Sequence, residues 1–158
     1  RKSEFIIHTN YLGGRVYCPP LLIMQSLPKF HGVAPALVTP MNEDRSINWE
    51  GLKKLIQHVT AGGVDYLVVQ GTTGESATTT SDEKKQIVST IQEANVKNLP
   101  IVYGLGGNNT EGLIKQINDT DFSGIDAILS VCPYYNKPSA RGVIAHYQAM
   151  VGFKFGNE

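Results

Sequence analysis

From Val33 onward, short runs of β-branched and apolar residues alternate with longer segments whose apolar residues recur every three to four positions. That alternation restricts the chain to repeated βα units around a parallel sheet. Residues 33–38 are predicted as the opening strand, closed by Thr39-Pro40. Ile47, Leu52, Leu55, Ile56 and Val59 then share one helix face, with Asn48 placed to cap it, Glu50 in its first turn and Gly62-Gly63 at its end. Tyr66-Leu67-Val68-Val69 is apolar throughout, as a strand buried on both faces requires. Thr79 or Thr80 caps the next helix: Thr80 and Glu83 have capping-box spacing, and Ile87, Val88, Ile91 and Ala94 form the buried stripe. Pro100 opens a third strand, Ile101-Val102-Tyr103, and Leu113, Ile114 and Ile117 mark the helix after it. Residues 127–131 read as a fourth strand, followed by a helix capped by Ser139 and carrying Val143, Ile144, Tyr147 and Met150.

Strand-helix-strand connections in a parallel sheet are right-handed almost without exception, so four successive units curl in one sense. The pattern suits half of a (β/α)8 barrel better than a doubly wound sheet, although periodicity alone does not separate the two. The chain has 158 residues, whereas a closed barrel takes ~250. Residues 24–150 are therefore expected to form an N-terminal half barrel. Residues 1–23 hold no sustained period and are expected to be an irregular extension, upstream-reading or cloning-derived, with Met24 a possible natural start. Residues 151–158 are expected to be an unstructured tail.

Fourteen Lys and Arg balance fourteen Asp and Glu, so no net field favours nucleic acid or an anionic membrane surface. No stretch approaches the ~20 apolar residues of a membrane-spanning helix. Cys18 and Cys132 stand far apart and fit no metal-ligand spacing, which points to a soluble protein of the reduced cytoplasm. His8, His31, His58 and His146 share no spacing, and neither a Gly-x-Ser-x-Gly elbow nor a dinucleotide fingerprint follows a strand. No metal or cofactor is expected. A lysine nucleophile requires burial to lower its pKa, yet Lys53, Lys54, Lys84, Lys85, Lys97, Lys115 and Lys137 all fall on predicted helices or loops.

In barrels the chemistry sits on the loops after the strands. Gly71-Thr72-Thr73-Gly74-Glu75 has the parts of an anion nest, in which glycines admit close approach while successive N–H groups and two hydroxyls face a carboxylate. It reads equally as a polar turn between strand and helix. Pro133-Tyr134-Tyr135-Asn136-Lys137-Pro138 puts two phenols at a strand end, either as a proton relay with Thr72 or Thr73 or as an aromatic packing loop.

Taken in order, Ala36-Leu37-Val38-Thr39-Pro40, then Gly71-Thr72-Thr73-Gly74-Glu75-Ser76-Ala77-Thr78, then Pro133-Tyr134-Tyr135-Asn136-Lys137-Pro138 closely resemble the dihydrodipicolinate synthase / N-acetylneuraminate lyase family over about residues 30–150. The Thr72-Thr73 pair and the tyrosine segment resemble its synthase branch; the lyase branch usually carries Ser-Thr and a different tyrosine segment. N-acetylneuraminate cleavage, or another pyruvate-dependent keto-acid aldolase activity, is the alternative enzymatic expectation. The resemblance implies a class I aldolase-type condensation of pyruvate, held as a lysine Schiff base, with aspartate semialdehyde on the route to lysine. By the same resemblance Thr72, Thr73 and Gly74 hold the pyruvate carboxylate. Thr72 joins a proton relay with Tyr135, which reaches a neighbouring subunit's site in a homo-oligomer, a dimer or tetramer. Ser76, Ala77, Asn108 and Tyr134 match positions around the lysine-binding regulatory pocket of some members, while Ser81 and Lys84 stand where feedback-sensitive bacterial members can carry histidines. The family's principal tyrosine and its Schiff-base lysine belong to strands five and six, which is expected to leave this chain inactive alone. The non-enzymatic expectation is a half barrel that binds a small carboxylate or pairs with a second copy of itself.

Overall fold

The computed structural model describes residues 4–8 and 28–154. Expectations placed on Cys18, on Met24 and on residues 155–158 lie outside the described residues. Strand β1 (Glu4–His8) is followed by a short 3-10 turn (Pro28–Phe30), helix α1 (Trp49–Ala61), β2 (Leu67–Val69), a second 3-10 turn (Thr72–Gly74), α2 (Ser81–Ala94), β3 (Ile101–Gly104), α3 (Thr110–Asp119), β4 (Ala127–Val131) and α4 (Ala140–Lys154). The strands form one sheet in the order β1-β4-β3-β2, parallel at every pairing. From β2 onward the βα units run sequentially across it without reversal, as half of a (β/α)8 barrel does.

The helices begin where side chains satisfy orphan N–H groups. Asn48 Oδ1 accepts from Gly51 N–H at 2.7 Å, and Asn109 Oδ1 accepts from Gly112 N–H at 3.1 Å. At α2 the capping box is complete: Thr80 N–H donates to Glu83 Oε2 at 2.7 Å while Glu83 N–H reaches Thr80 Oγ1 at 3.3 Å. Ser139 Oγ accepts from Gly142 N–H at 3.2 Å at the start of α4. These bonds offset the loss of solvent at helix starts and set where each helix begins.

Leu52 and Ile56 of α1, Ile87 and Ile91 of α2, Ile117 of α3, and Tyr147 and Met150 of α4 are buried with Leu67, Val69, Ile101, Tyr103 and Ile128 from the strands, forming one cluster on the helix-covered face. Each fully buried Leu or Ile there stabilises the fold by about 1.5–3 kcal/mol. On the opposite face Val68, Leu129 and Val131 are only half-buried, and Val38 is 49% exposed. The run at residues 66–69 is therefore buried on one face and partly open on the other. The open face is the one that fills the interior of a closed barrel.

Three expectations are corrected. The opening strand reduces to a single bridge, Ala36 to Val68, with Leu37 N–H donating to Val68 C=O at 2.9 Å and Val68 N–H to Pro35 C=O at 3.3 Å. Proline 35 has no N–H to donate and Pro40 follows closely, so a longer ladder does not form. The extension at residues 1–23 is not irregular throughout: Glu4–His8 pairs in parallel with Ala127–Val131 along the outer edge of β4. Phe5-Ile6-Ile7 has the β-forming composition, and an open strand edge supplies the pairing that local pattern does not reveal. The tail is not unstructured from residue 151, because α4 continues through Lys154; the segment holds no proline, and the cost of Gly152, about 1 kcal/mol, does not stop the helix.

Candidate functional site

Parallel strands end on one side of their sheet, so the loops after β2, β3 and β4 meet there, beside the segment that follows the Ala36 bridge. Their contacts run from one loop to the next. Thr39 Oγ1, buried, donates to Gly74 C=O at 2.7 Å. Gly74 is itself buried, and a Cβ on it would stand 3.1 Å from Leu37 O. Gly104 lies against the backbone of the neighbouring strand end: a Cβ there would fall 2.2 Å from Gln70 O and 2.7 Å from Gly71 N. Gly106 packs on Val131, where a Cβ would fall 2.7 Å from Cγ1 and 2.8 Å from the backbone nitrogen. Asn108 Oδ1 accepts from both Tyr134 N–H, at 2.7 Å, and Tyr135 N–H, at 2.9 Å.

The loop carrying Thr72 and Thr73 is a tight structure. Gly74 N–H donates to Gly71 C=O at 3.0 Å, and Glu75 N–H to Thr72 C=O at 3.1 Å. Glu75 is left-handed at φ 55°, and Gln70, which enters the loop, is left-handed at φ 53°. Two non-glycine residues in that region within six positions mark a backbone held by its surroundings rather than by preference. Gln70 is 2% exposed, and its Oε1 accepts from Thr79 Oγ1 at 3.0 Å. Thr72 and Thr73 are exposed, as is Ala77, while Ser76 is half-buried.

Tyr134 is 65% and Tyr135 87% exposed, so this loop does not pack its rings into the chain's own core. Among the described residues no hydrogen bond joins Thr72 to Tyr135. The anion-nest loop and the two phenols thus share one end of the sheet, with β3 between their strands. Asn108 enters the geometry as a brace for the tyrosine loop. Gln70 and the inward-turned hydroxyl of Thr39 carry no sequence signal of their own; the one pointer is that each stands next to a glycine- or proline-bearing turn.

Beneath the tyrosine loop lies a second polar cluster. Tyr147 OH donates to Ser130 C=O at 3.2 Å and lies 3.4 Å from Cys132 Sγ. Burial first, and then Cys132, pushes the Tyr147 phenol well above the usual tyrosine range, so it stays protonated and structural at neutral pH. His146, buried, contacts Thr110 Oγ1 through Nδ1 at 2.7 Å, and its burial holds its pKa below the ordinary value. His58 is exposed on α1. No group of His, Cys, Asp and Glu suited to a metal ion occurs among the described residues. Among them, too, no helix is long and apolar enough to cross a membrane.

Residues 29–155 match the Dihydrodipicolinate synthetase family. The chain is 48% identical over 121 residues to 4-hydroxy-tetrahydrodipicolinate synthase of Cytophaga hutchinsonii, covering 77% of this chain and 41% of the relative. It is likewise 48% identical over 119 residues to that of Flavobacterium psychrophilum, covering 75% and 41%. Among solved structures, dihydrodipicolinate synthase from Cyanidioschyzon merolae with lysine bound superposes with a TM-score of 0.73 at 34% identity, covering 80% of this chain and 43% of that one. The chloride-inhibited enzyme from Acinetobacter baumannii complexed with pyruvate gives 0.73 at 36% identity, covering 78% and 43%. The chain thus spans about two fifths of the length of the curated relatives it matches. With the family matched along most of the chain and the half barrel aligned on its solved members, the chain belongs to the dihydrodipicolinate synthetase family.

Proposed function

We propose that these residues supply the N-terminal half of a lyase that condenses pyruvate with aspartate semialdehyde through a lysine Schiff base, in lysine biosynthesis. The observation that carries this reading is the loop at residues 71–75. It presents the hydroxyls of exposed Thr72 and Thr73 at the C-terminal end of a parallel sheet, on a backbone clamped from below by Thr39 and Gln70. A preorganised loop of this kind binds a carboxylate without the added cost of ordering itself first.

In this reading Thr72 and Thr73 hold the pyruvate carboxylate, while Gly74, expected to share that role, has its N–H turned to Gly71 C=O and its C=O to Thr39 and shapes the turn beneath them. The lysine amine attacks the pyruvate ketone and loses water to form the imine. Loss of a methyl proton gives the enamine, whose carbon attacks the aldehyde of the second substrate. Thr72 and Tyr135 pass the protons, the Tyr135 of one subunit serving the Thr72 of its neighbour in a homo-oligomer. The exposure of Tyr135, 87%, supports that arrangement. In this reading the lysine belongs to the part of the relatives' length that this chain does not span; among the described residues none of the strands contains one. The chain alone is therefore inactive in this reading, and the reaction is cytoplasmic. Ser76, Ala77, Asn108 and Tyr134 match positions around the lysine pocket of some members, and a relative from Cyanidioschyzon merolae binds lysine, but Ser81 and Lys84 stand where feedback-sensitive members can carry histidines, which weighs against feedback inhibition here.

Titrating the 158-residue chain with pyruvate tests the binding half of the proposal. The amide resonances of Thr72, Thr73 and Gly74 are expected to shift saturably, and Thr72→Val with Thr73→Val to abolish the response. Shifts scattered over the surface, or surviving the double substitution, contradict it.

A further inference from the structure

We infer that Gln70 is a positioning residue for the carboxylate loop, acting through Thr79; the inference rests on the functional reading of that loop given above. Gln70 breaks two local rules at once. It is a non-glycine residue at φ 53°, and a buried amide with its Nε2 unpartnered. A strand-end position under selection for stability alone is better filled by glycine, which takes that φ without strain, or by an apolar side chain, which leaves no orphan donor. Where both rules fail together beside a site, the surroundings hold the strain for a purpose.

The purpose is legible in what the side chain touches. Its Oε1 lies 3.0 Å from Thr79 Oγ1, and the same hydroxyl lies 3.4 Å from Ser76 C=O. The loop thus leaves the sheet at Gln70, makes its turn at Thr72–Gly74, and is fastened back to its own point of departure at Thr79. Turning the amide over preserves the contact, since Nε2 then donates to Thr79 Oγ1 and one amide atom still lacks a partner. The departure point is itself tightly packed: Gly104 of β3 meets the Gln70 carbonyl with no room for a Cβ. Through this clasp the rigid sheet fixes residues 71–79 before any ligand arrives.

The test uses the 158-residue chain and needs no ligand. Thr78 and Thr79 N–H groups both donate to Glu75 C=O, at 2.9 Å and 3.3 Å, and report on loop order. In Gln70→Met, which removes the buried amide altogether, their hydrogen exchange is expected to accelerate at least tenfold while the melting temperature holds or rises; Thr79→Val is expected to accelerate it as much but to lower the melting temperature, because Gln70 Oε1 then loses its donor. The double variant is expected to exchange no faster than either single one, and Thr79→Ser, which keeps the hydroxyl, to behave as the parent. Parallel pyruvate titrations are expected to show weaker binding in the same two single variants. Unchanged exchange in both variants, or exchange that rises in Gln70→Met only in step with a falling melting temperature, overturns the inference. Absence of pyruvate binding to the parent chain defeats the functional reading and leaves the exchange result to decide the clasp.

Discussion

Replacing Asn108 with alanine separates the tyrosine loop from the rest of the fold. The Asn108 side chain accepts two backbone N–H bonds, from Tyr134 at 2.7 Å and Tyr135 at 2.9 Å. A net intramolecular hydrogen bond is worth about 0.5–1.5 kcal/mol. Both N–H groups lie in an exposed loop, with Asn108 exposed as well, so water replaces part of each bond and the pair together contributes at the lower end, about 1–2 kcal/mol. That stabilisation belongs to a local opening of the loop rather than to global unfolding. Since 1.4 kcal/mol is a factor of ten in an equilibrium constant, amide exchange at Tyr134 and Tyr135 should accelerate by roughly tenfold. The main transition should move by no more than a few degrees. Asn108→Asp keeps an acceptor oxygen at the same reach and adds charge, so it should leave exchange at both amides equal to or slower than in the parent. Exchange unaltered by Asn108→Ala, or accelerated equally by Asn108→Asp, would show that the loop is held by something other than these two bonds.

Other perturbations have effects of definite sign. Gly104→Ala puts a methyl group against backbone atoms of Gln70 and Gly71 that cannot swing aside, and should destabilise by about 1–3 kcal/mol; a thermal melt matching that of the parent contradicts the contact. Thr80→Ala removes the capping box of α2 and should cost about 1 kcal/mol, read as a loss of denaturation midpoint with unchanged slope. His146 has a folded-state pKa held below its ordinary 6.5 by burial, so the unfolded chain binds its proton first. Stability should therefore fall as pH drops below that ordinary value, and go on falling until the folded pKa is reached. In His146→Asn, which cannot titrate, the melting temperature between pH 8 and pH 5 should decline less steeply; an equally steep decline assigns the acid sensitivity elsewhere.

The elements that could be read in advance are those whose determinants are local. Asn48, Thr80 and Ser139 cap where their spacing says they should, and β4 falls on Ala127–Val131 because a short run, apolar but for Ser130, is bounded by turn chemistry on both sides. What escaped was decided by partners distant in sequence. Glu4–His8 is a strand because the outer edge of β4 offers an unpaired ladder, and residues 33–38 make one bridge because Pro35 withholds a donor. At the site, Thr72, Thr73, Tyr134 and Tyr135 were legible from residue type at strand ends. The clasp between Gln70 and Thr79 and the brace at Asn108 were not, since a buried amide and an exposed one look alike until the chain has folded around them.

Completing the barrel tests most directly whether these residues form half of a Schiff-base site. The remaining C-terminal portion of the Cytophaga hutchinsonii relative, of which this chain covers 41%, would be supplied as a separate polypeptide or fused to it. Pyruvate would be added with borohydride to trap the imine, and condensation with aspartate semialdehyde would be followed in parallel. The account predicts a trapped pyruvate adduct on a lysine of the added portion and pyruvate-dependent condensation, both lost with Thr72→Val and neither seen with the 158-residue chain alone. A soluble, assembled complex that forms no adduct and condenses nothing would contradict it.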